Sequence, residues 1–338
     1  MTGRDFSKTT GFWPVLAALL GNFFVGVAKF FGFLVSGSGA LFSEAIHSLA
    51  DTANQSLLII GVRRSVKKPT KVFPYGYGRE RFIFALISAC GIFFVGCGVT
   101  VYHGITSLLD PSPVHFRSIA LYILFFAFVI KSGTLWLAVR DIRKHFPKDK
   151  LKVILKEADP TTLAVVYEDG LAVVGVLVAF VSIVLTYMTG QVYWDAIGSI
   201  IIGLLLGVAA IILINKNRHY LITRSIPKDL EDELIELIES DPFVEKVSDF
   251  KSAILDVDKY LIKFDIEFNA SALAKELSNY GFLEDEYEEV KESYHNFMKF
   301  CVEYADRVPR MVGKKIDGLE KKIRQLVPQA VFIDIEIN

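Results

Sequence analysis

The sequence predicts a membrane domain of six transmembrane α-helices followed by a small cytoplasmic α+β domain. Three observations predict it. Six segments of the 338-residue chain are apolar over the length a span needs, about 20 residues. Charge is segregated: residues 1–216 hold 20 Lys and Arg against 12 Asp and Glu, whereas residues 217–338 hold 17 against 26. The acidic tail, about 120 residues, carries the period-two alternation of half-buried strands and is long enough to bury its own core. A mean hydropathy of +0.40 beside 22% charged residues fits such a split chain better than a soluble one. A net charge of −1 gives no sign of nucleic-acid binding.

The expected spans are 12–35, 38–62, 82–106, 117–139, 161–187 and 192–215. The second and fifth carry acidic residues. A charged residue at mid-membrane costs about 2.5–3.5 kcal/mol on insertion scales, so these helices need polar neighbours. Loop charge orients the spans. Arg63, Arg64, Lys67, Lys68, Lys71, Arg79 and Arg81 follow the second span. Arg140, Arg143, Lys144, Lys148, Lys150, Lys152 and Lys156 follow the fourth, and the other side offers only Arg117. The positive-inside rule then puts both termini and the tail in the cytoplasm. Tyr193 and Trp194 stand where the sixth span enters the membrane, and Gly203 and Gly207 form a GxxxG suited to close packing or dimerisation. The N-terminus MTGRDFSKTT reads as neither a cleavable signal nor a transit peptide. In the tail we expect helix 228–239, strands 244–256 and 259–268, a helical insertion at 271–305, helix 310–326 set off by Pro309, and strand 330–337.

The chemistry concentrates in FSEAIHSLADTANQS of the second span. At 100° per residue, Glu44, His47, Asp51, Asn54 and Gln55 share a stripe about 100° wide. His47 and Asp51 are four apart, the spacing at which two side chains on one helix face can hold one metal ion. An imidazole with carboxylates suits zinc, with manganese, iron and cobalt open. The bland alternative is a hydrogen-bonded pair, but ionisable residues inside a span default to function. The fifth span adds Glu168 and Asp169, about 100° apart on the helix; alternatively, that end lies solvated at the interface. The expected site is His47, Asp51 and Asp169, with Glu168, Glu44 or water as the fourth ligand.

Other polar residues have blander readings. Lys29 and Lys131 are expected to snorkel to opposite surfaces, or else to balance the carboxylates. Asn22 can bridge helices. Asp195, at a helix mouth, is a cap or a lure for cations. His103, His115, His145, His219 and His295 are read as solvated or structural residues of loops and tail. Cys90, Cys97 and Cys301 show no CxxC spacing and no disulfide framework. The chain shows no HExxH, GxSxG or phosphate loop and no nucleophile beside a base, which argues against an enzyme. Buried charge of mainly negative sign argues against an anion carrier.

The stretches NFFVGVAKFFGFLVSGSGALFSEAIHSLAD, PYGYGRER, EDGLAVVG and WDAIGSIIIGLLLG, taken together, resemble the cation diffusion facilitator family over nearly the whole chain. Within it, FSEAIHSLADTANQSLL and DPTTLAVVYEDGLAVVG look most like the branch of the ninth human zinc transporter. The resemblance implies a ferredoxin-like, metallochaperone-like tail and a homodimer with alternating access. It implies zinc export from the cytoplasm by proton antiport, with zinc as substrate and no cofactor. The family site maps onto His47, Asp51 and Asp169, while the usual fourth ligand position, four before Asp169, holds Val165. A rival reading is a membrane metal sensor or scaffold that binds zinc without moving it. A bacterial cytoplasmic membrane is the first expectation and an organelle inner membrane the second.

Overall fold

Six helical rods follow one another in the first part of the computed structural model, which describes residues 12–111, 118–145, 160–256, 259–279 and 282–338. They are α1 (Phe12–Ser36), α2 (Gly39–Ser65), α3 (Glu80–Leu109), α4 (Ser118–His145), α5 (Pro160–Thr189) and α6 (Tyr193–Leu221). Local signals set the turns. Gly37 takes φ +70° and closes α1, a backbone conformation open to glycine at little cost. Ser38 then caps α2, accepting from the Leu41 amide at 3.2 Å. Gly190, at φ +68°, closes α5 just before α6 in the same way. Within α3 the turn widens to a π-helix over Ile92–Cys97, where Ile92 packs against Leu206 and Ala210 of α6.

This unit is inside out. Phe24, Phe94 and Phe125 stay 64–72% exposed, while Lys29, Glu44, Asp51 and Lys131 are each 4% exposed or less. A surface of that kind belongs in lipid. Five of the rods, α1, α3, α4, α5 and α6, are long and apolar enough to cross a membrane. The second expected span, α2, is not among them, because the polar stripe of Glu44, His47, Asp51, Asn54 and Gln55 dilutes its apolar run. The GxxxG is used within the chain. A side chain on Gly203 would strike the Val101 backbone amide at 3.0 Å, and one on Gly207 would meet the Cys97 sulfur at 3.0 Å, so α6 lies tight against α3.

The chain divides after His219, and the second unit, Tyr220–Asn338, is an α+β domain. Its elements are α7 (Lys228–Glu239), β1 (Val244–Asp256), β2 (Lys259–Phe268), α8 (Ala270–Asn279), α9 (Phe282–Val290), α10 (Tyr294–Leu326) and β3 (Ala330–Ile337). Strand β2 is central, antiparallel to β1 and parallel to β3. Alternation puts Ile262, Phe264 and Ile266 fully inside, together with Leu234 and Ile238 of α7 and Ile323 of α10. Pro309 does not separate two helices: α10 runs straight through it. Pro309 and Ala305 are both exposed, so the Ala305 carbonyl that loses its amide partner can be hydrated.

Asp241 ties the turn after α7 to α10. Its carboxylate accepts from Lys322 Nζ at 2.7 Å and from the Phe243 amide at 3.2 Å. Burial pushes the Asp241 carboxyl up, but these bonds and the charges of Lys322 and Lys315 outweigh it and hold the carboxyl below its usual range. A carboxyl depressed on folding adds stability above its unfolded value and loses it as pH falls through the folded one. Asp241→Asn should therefore lower the melting temperature at neutral pH. The gap from wild type should begin to close below the ordinary Asp value of 3.8 and vanish below the folded value; a gap that persists in acid counts against the ion pair.

Candidate functional site

The polar stripe of α2 faces inward. Glu44, His47, Asp51 and Asn54 are buried, and Gln55 is half-buried. Asn54 accepts from the Ser88 hydroxyl of α3 at 2.9 Å. His47 lies between two carboxylates of its own helix. Its Nδ1 is 3.8 Å from Glu44 Oε1, and its Nε2 is 3.6 Å from Asp51 Oδ1. Each acid therefore addresses a different ring nitrogen. Gly175 of α5 makes room for this arrangement: a Cβ there would stand 2.5 Å from Glu44 Oε1.

Two lysines complete the cluster, and neither snorkels. Lys29 of α1 donates to Glu44 Oε2 at 2.7 Å and to the Ser48 hydroxyl at 2.9 Å. Lys131 of α4 donates to Asp51 Oδ2 at 2.9 Å and to Asp169 Oδ1 of α5 at 3.4 Å. The expectation of snorkelling is thus corrected in favour of charge balance. The cause was readable in the sequence. Lys131 sits midway along α4, about 20 Å from either end at 1.5 Å per residue, beyond the reach of its four-carbon stem. A buried ion needs a partner, and each carboxylate here has one.

Ion pairs thereby link the four helices α1, α2, α4 and α5: Glu44, His47 and Asp51 lie along α2, and Asp169 of α5 is tied to Asp51 through Lys131. Asp51 is the hub, with Oδ1 toward His47 and Oδ2 toward Lys131. Asp169 joins through the Lys131 ammonium. Among the described residues, no three of His, Cys, Asp and Glu stand close enough together to hold a metal ion unaided. Glu168 and Val165 lie on α5, but their side chains fall outside the described ones, as does that of His145; His115 lies outside the described residues altogether.

A second polar cluster, at one end of the bundle, is built differently. Asp195 of α6 accepts from the Ser38 hydroxyl at 2.5 Å and the Ala40 amide at 3.3 Å, and also from the Gly39 amide. It caps the start of α2, so of its two readings the cap holds. His103 is not a loop histidine. It lies inside α3 against the Phe42 ring, with centroids 4.5 Å apart, and its Nδ1 is buried without a hydrogen bond.

Comparison with known proteins agrees with this architecture. A model of the cation efflux transmembrane domain matches residues 15–222. Metal tolerance protein C4 of Arabidopsis thaliana is 34% identical over 332 residues, covering 96% of this chain and 73% of its own length. The mitochondrial proton-coupled zinc antiporter SLC30A9 of Mus musculus is 35% identical over 315 residues, covering 91% of this chain and 55% of its own length. The chain thus spans little more than half of that animal relative. Magnetosome protein MamM of Magnetospirillum gryphiswaldense is 36% identical over 86 residues, a quarter of this chain.

Asp195→Ala leaves buried donors on α2 unpaired, so it should destabilise the detergent-solubilised protein by about 1–3 kcal/mol. Asp195→Asn, which keeps an acceptor, should cost less. An unchanged melting temperature for the alanine variant would contradict the capping role.

Proposed function

The chain belongs to the cation efflux, or cation diffusion facilitator, family, and from that premise we propose that it carries zinc out of the cytoplasm in exchange for protons. Membership makes it a membrane transporter of metal cations and not an enzyme, with the metal as cargo rather than cofactor. The observation that supports the zinc reading is the burial of His47 and Asp51 side by side on α2, with Asp169 of α5 linked to Asp51 through the Lys131 ammonium.

The distances suit the cargo. A tetrahedral zinc about 2.1 Å from each of two donors holds them about 3.4 Å apart. His47 Nε2 and Asp51 Oδ1 stand 3.6 Å apart. Asp169 supplies the donor from the second helix, and Glu168 or water completes the set. Glu44 faces Nδ1, the nitrogen that zinc does not use, so its role is to orient the imidazole rather than to ligate. The chain offers no thiolate at this place, which disfavours soft ions.

Zinc ligands bind in their deprotonated forms, so loading the site displaces protons and protonation weakens it. A free imidazole titrates near neutrality, within reach of ordinary transmembrane pH differences. The name of the SLC30A9 relatives, proton-coupled zinc antiporter, supports the same coupling. Alternating exposure of the site to the two sides, under these two affinities, moves zinc one way and protons the other.

In this reading α2 is the sixth span. It carries its polar residues on the buried side and leaves Leu49 and Ile60 exposed, the pattern of a helix lined by other helices and facing lipid. Both termini and the acidic tail then lie on the cytoplasmic side of a bacterial cytoplasmic membrane or on the equivalent inner face of an organelle inner membrane. The mitochondrial relatives favour the second. The working unit is a homodimer. Its contact lies away from Gly203 and Gly207, whose face α3 occupies.

Proteoliposomes loaded with a zinc-sensitive dye and given a pH gradient test this directly. His47→Ala and Asp51→Ala should bring zinc flux to background while the protein stays folded. Glu44→Gln should weaken zinc affinity about 10- to 100-fold without abolishing flux. Normal flux in either alanine variant rejects the site. Zinc binding without flux in the wild type would make the protein a membrane metal sensor instead. Competition by manganese, iron and cobalt ranks the ions.

A further inference from the structure

We propose that Lys131 is a tethered counter-ion. Its ammonium occupies the place between Asp51 and Asp169 that an incoming divalent cation takes, and the cation loads by displacing it. This rests on the site reading above and adds to it a residue that sets how tightly cargo is held.

The geometry singles out Lys131. Its Nζ lies 2.9 Å from Asp51 Oδ2 and 3.4 Å from Asp169 Oδ1. It is the bridge that the structure shows between the carboxylate of α2 and the carboxylate of α5. A metal ion shared by Asp51 Oδ2 and Asp169 Oδ1 would sit where the ammonium sits, on the same carboxylate whose Oδ1 faces His47 Nε2. Lys29 is different, because it engages Glu44 Oε2 and Ser48 on the far side of the imidazole from Asp51. Both lysines hang from α1 and α4, whereas the expected ligands hang from α2 and α5.

Charge explains why such a residue helps a carrier. Two buried carboxylates, Glu44 and Asp51, and the half-buried Asp169 face two buried ammonium groups, Lys29 and Lys131. Without the lysines, three negative charges in a low-dielectric interior would hold a divalent ion so firmly that release would limit transport. An ammonium kept within a few ångströms competes at a fixed, high local concentration. It lowers affinity, and it returns to the carboxylates as the cargo leaves, so they are never stranded without a cation. The four-carbon stem, with its rotatable bonds, lets the group withdraw without moving α4.

The test titrates the full-length, detergent-purified protein with zinc alone at constant pH, then measures flux in proteoliposomes. Lys131→Gln should bind zinc about tenfold or more tighter than wild type. Lys131→Arg, which keeps the charge, should stay within a few-fold of wild type. In flux, Lys131→Gln should lower both the KM and the maximal rate, a paired change that loose packing would not produce. Equal or weaker zinc binding by Lys131→Gln, in a protein whose binding Asp51→Ala abolishes, overturns the counter-ion role and leaves the site reading intact. If Asp51→Ala binds zinc as wild type does, it is the site reading that fails. Should Lys131→Gln fold poorly in zinc-free buffer, recovery of folded protein on adding zinc supports the role, and no recovery counts against it.

Discussion

A carboxylate deep among membrane helices cannot stay ionised without a cation at its side, and the first unit is organised around that constraint. Glu44 and Asp51 are buried on α2, and Asp169 approaches from α5. Two lysines on α1 and α4 answer them. Each ion pair joins two helices, so the cluster fixes which faces of α1, α2, α4 and α5 meet. Apolar packing cannot supply that selectivity in a bilayer, where lipid is as apolar as leucine. The apolar core that includes Val25, Leu41, Leu124 and Val176 draws on the same four helices and adds Ile202 of α6.

Much of this could be read from the sequence because membrane helices and half-buried strands leave regular traces. Six apolar runs became six rods, and the stripe from Glu44 to Asn54 became a buried face. IKFDIEF and VFIDIEI became β2 and β3, with Phe264 at the centre of the sheet. What sequence position alone did not give was partnership across helices. Lys131 and Asp169 are 38 residues apart, and Ser38 and Asp195 are 157 apart. Local rules also failed where tertiary context outweighed them. Pro309 breaks an isolated helix, yet α10 continues through it on an exposed stretch. His103, expected among loop and tail residues, has apolar neighbours and packs inside α3 on the Phe42 ring.

The two buried polar clusters use the same residue type for opposite ends, and the partner decides which. Asp195 is held by a hydroxyl and two backbone amides, donors that belong to α2 and cannot leave. A cation arriving there would have to break a helix cap, and the amides it freed would find no water. Asp51 and Asp169 are held by an ammonium on a flexible stem, one cation that another cation can replace. The first arrangement pins a helix end, and the second leaves a carboxylate pair open to exchange. Aspartate in a membrane helix is therefore informative only with its counter-group: fixed neutral donors mark scaffolding, and a single ammonium on a flexible stem is the arrangement that the proposed exchange with cargo needs.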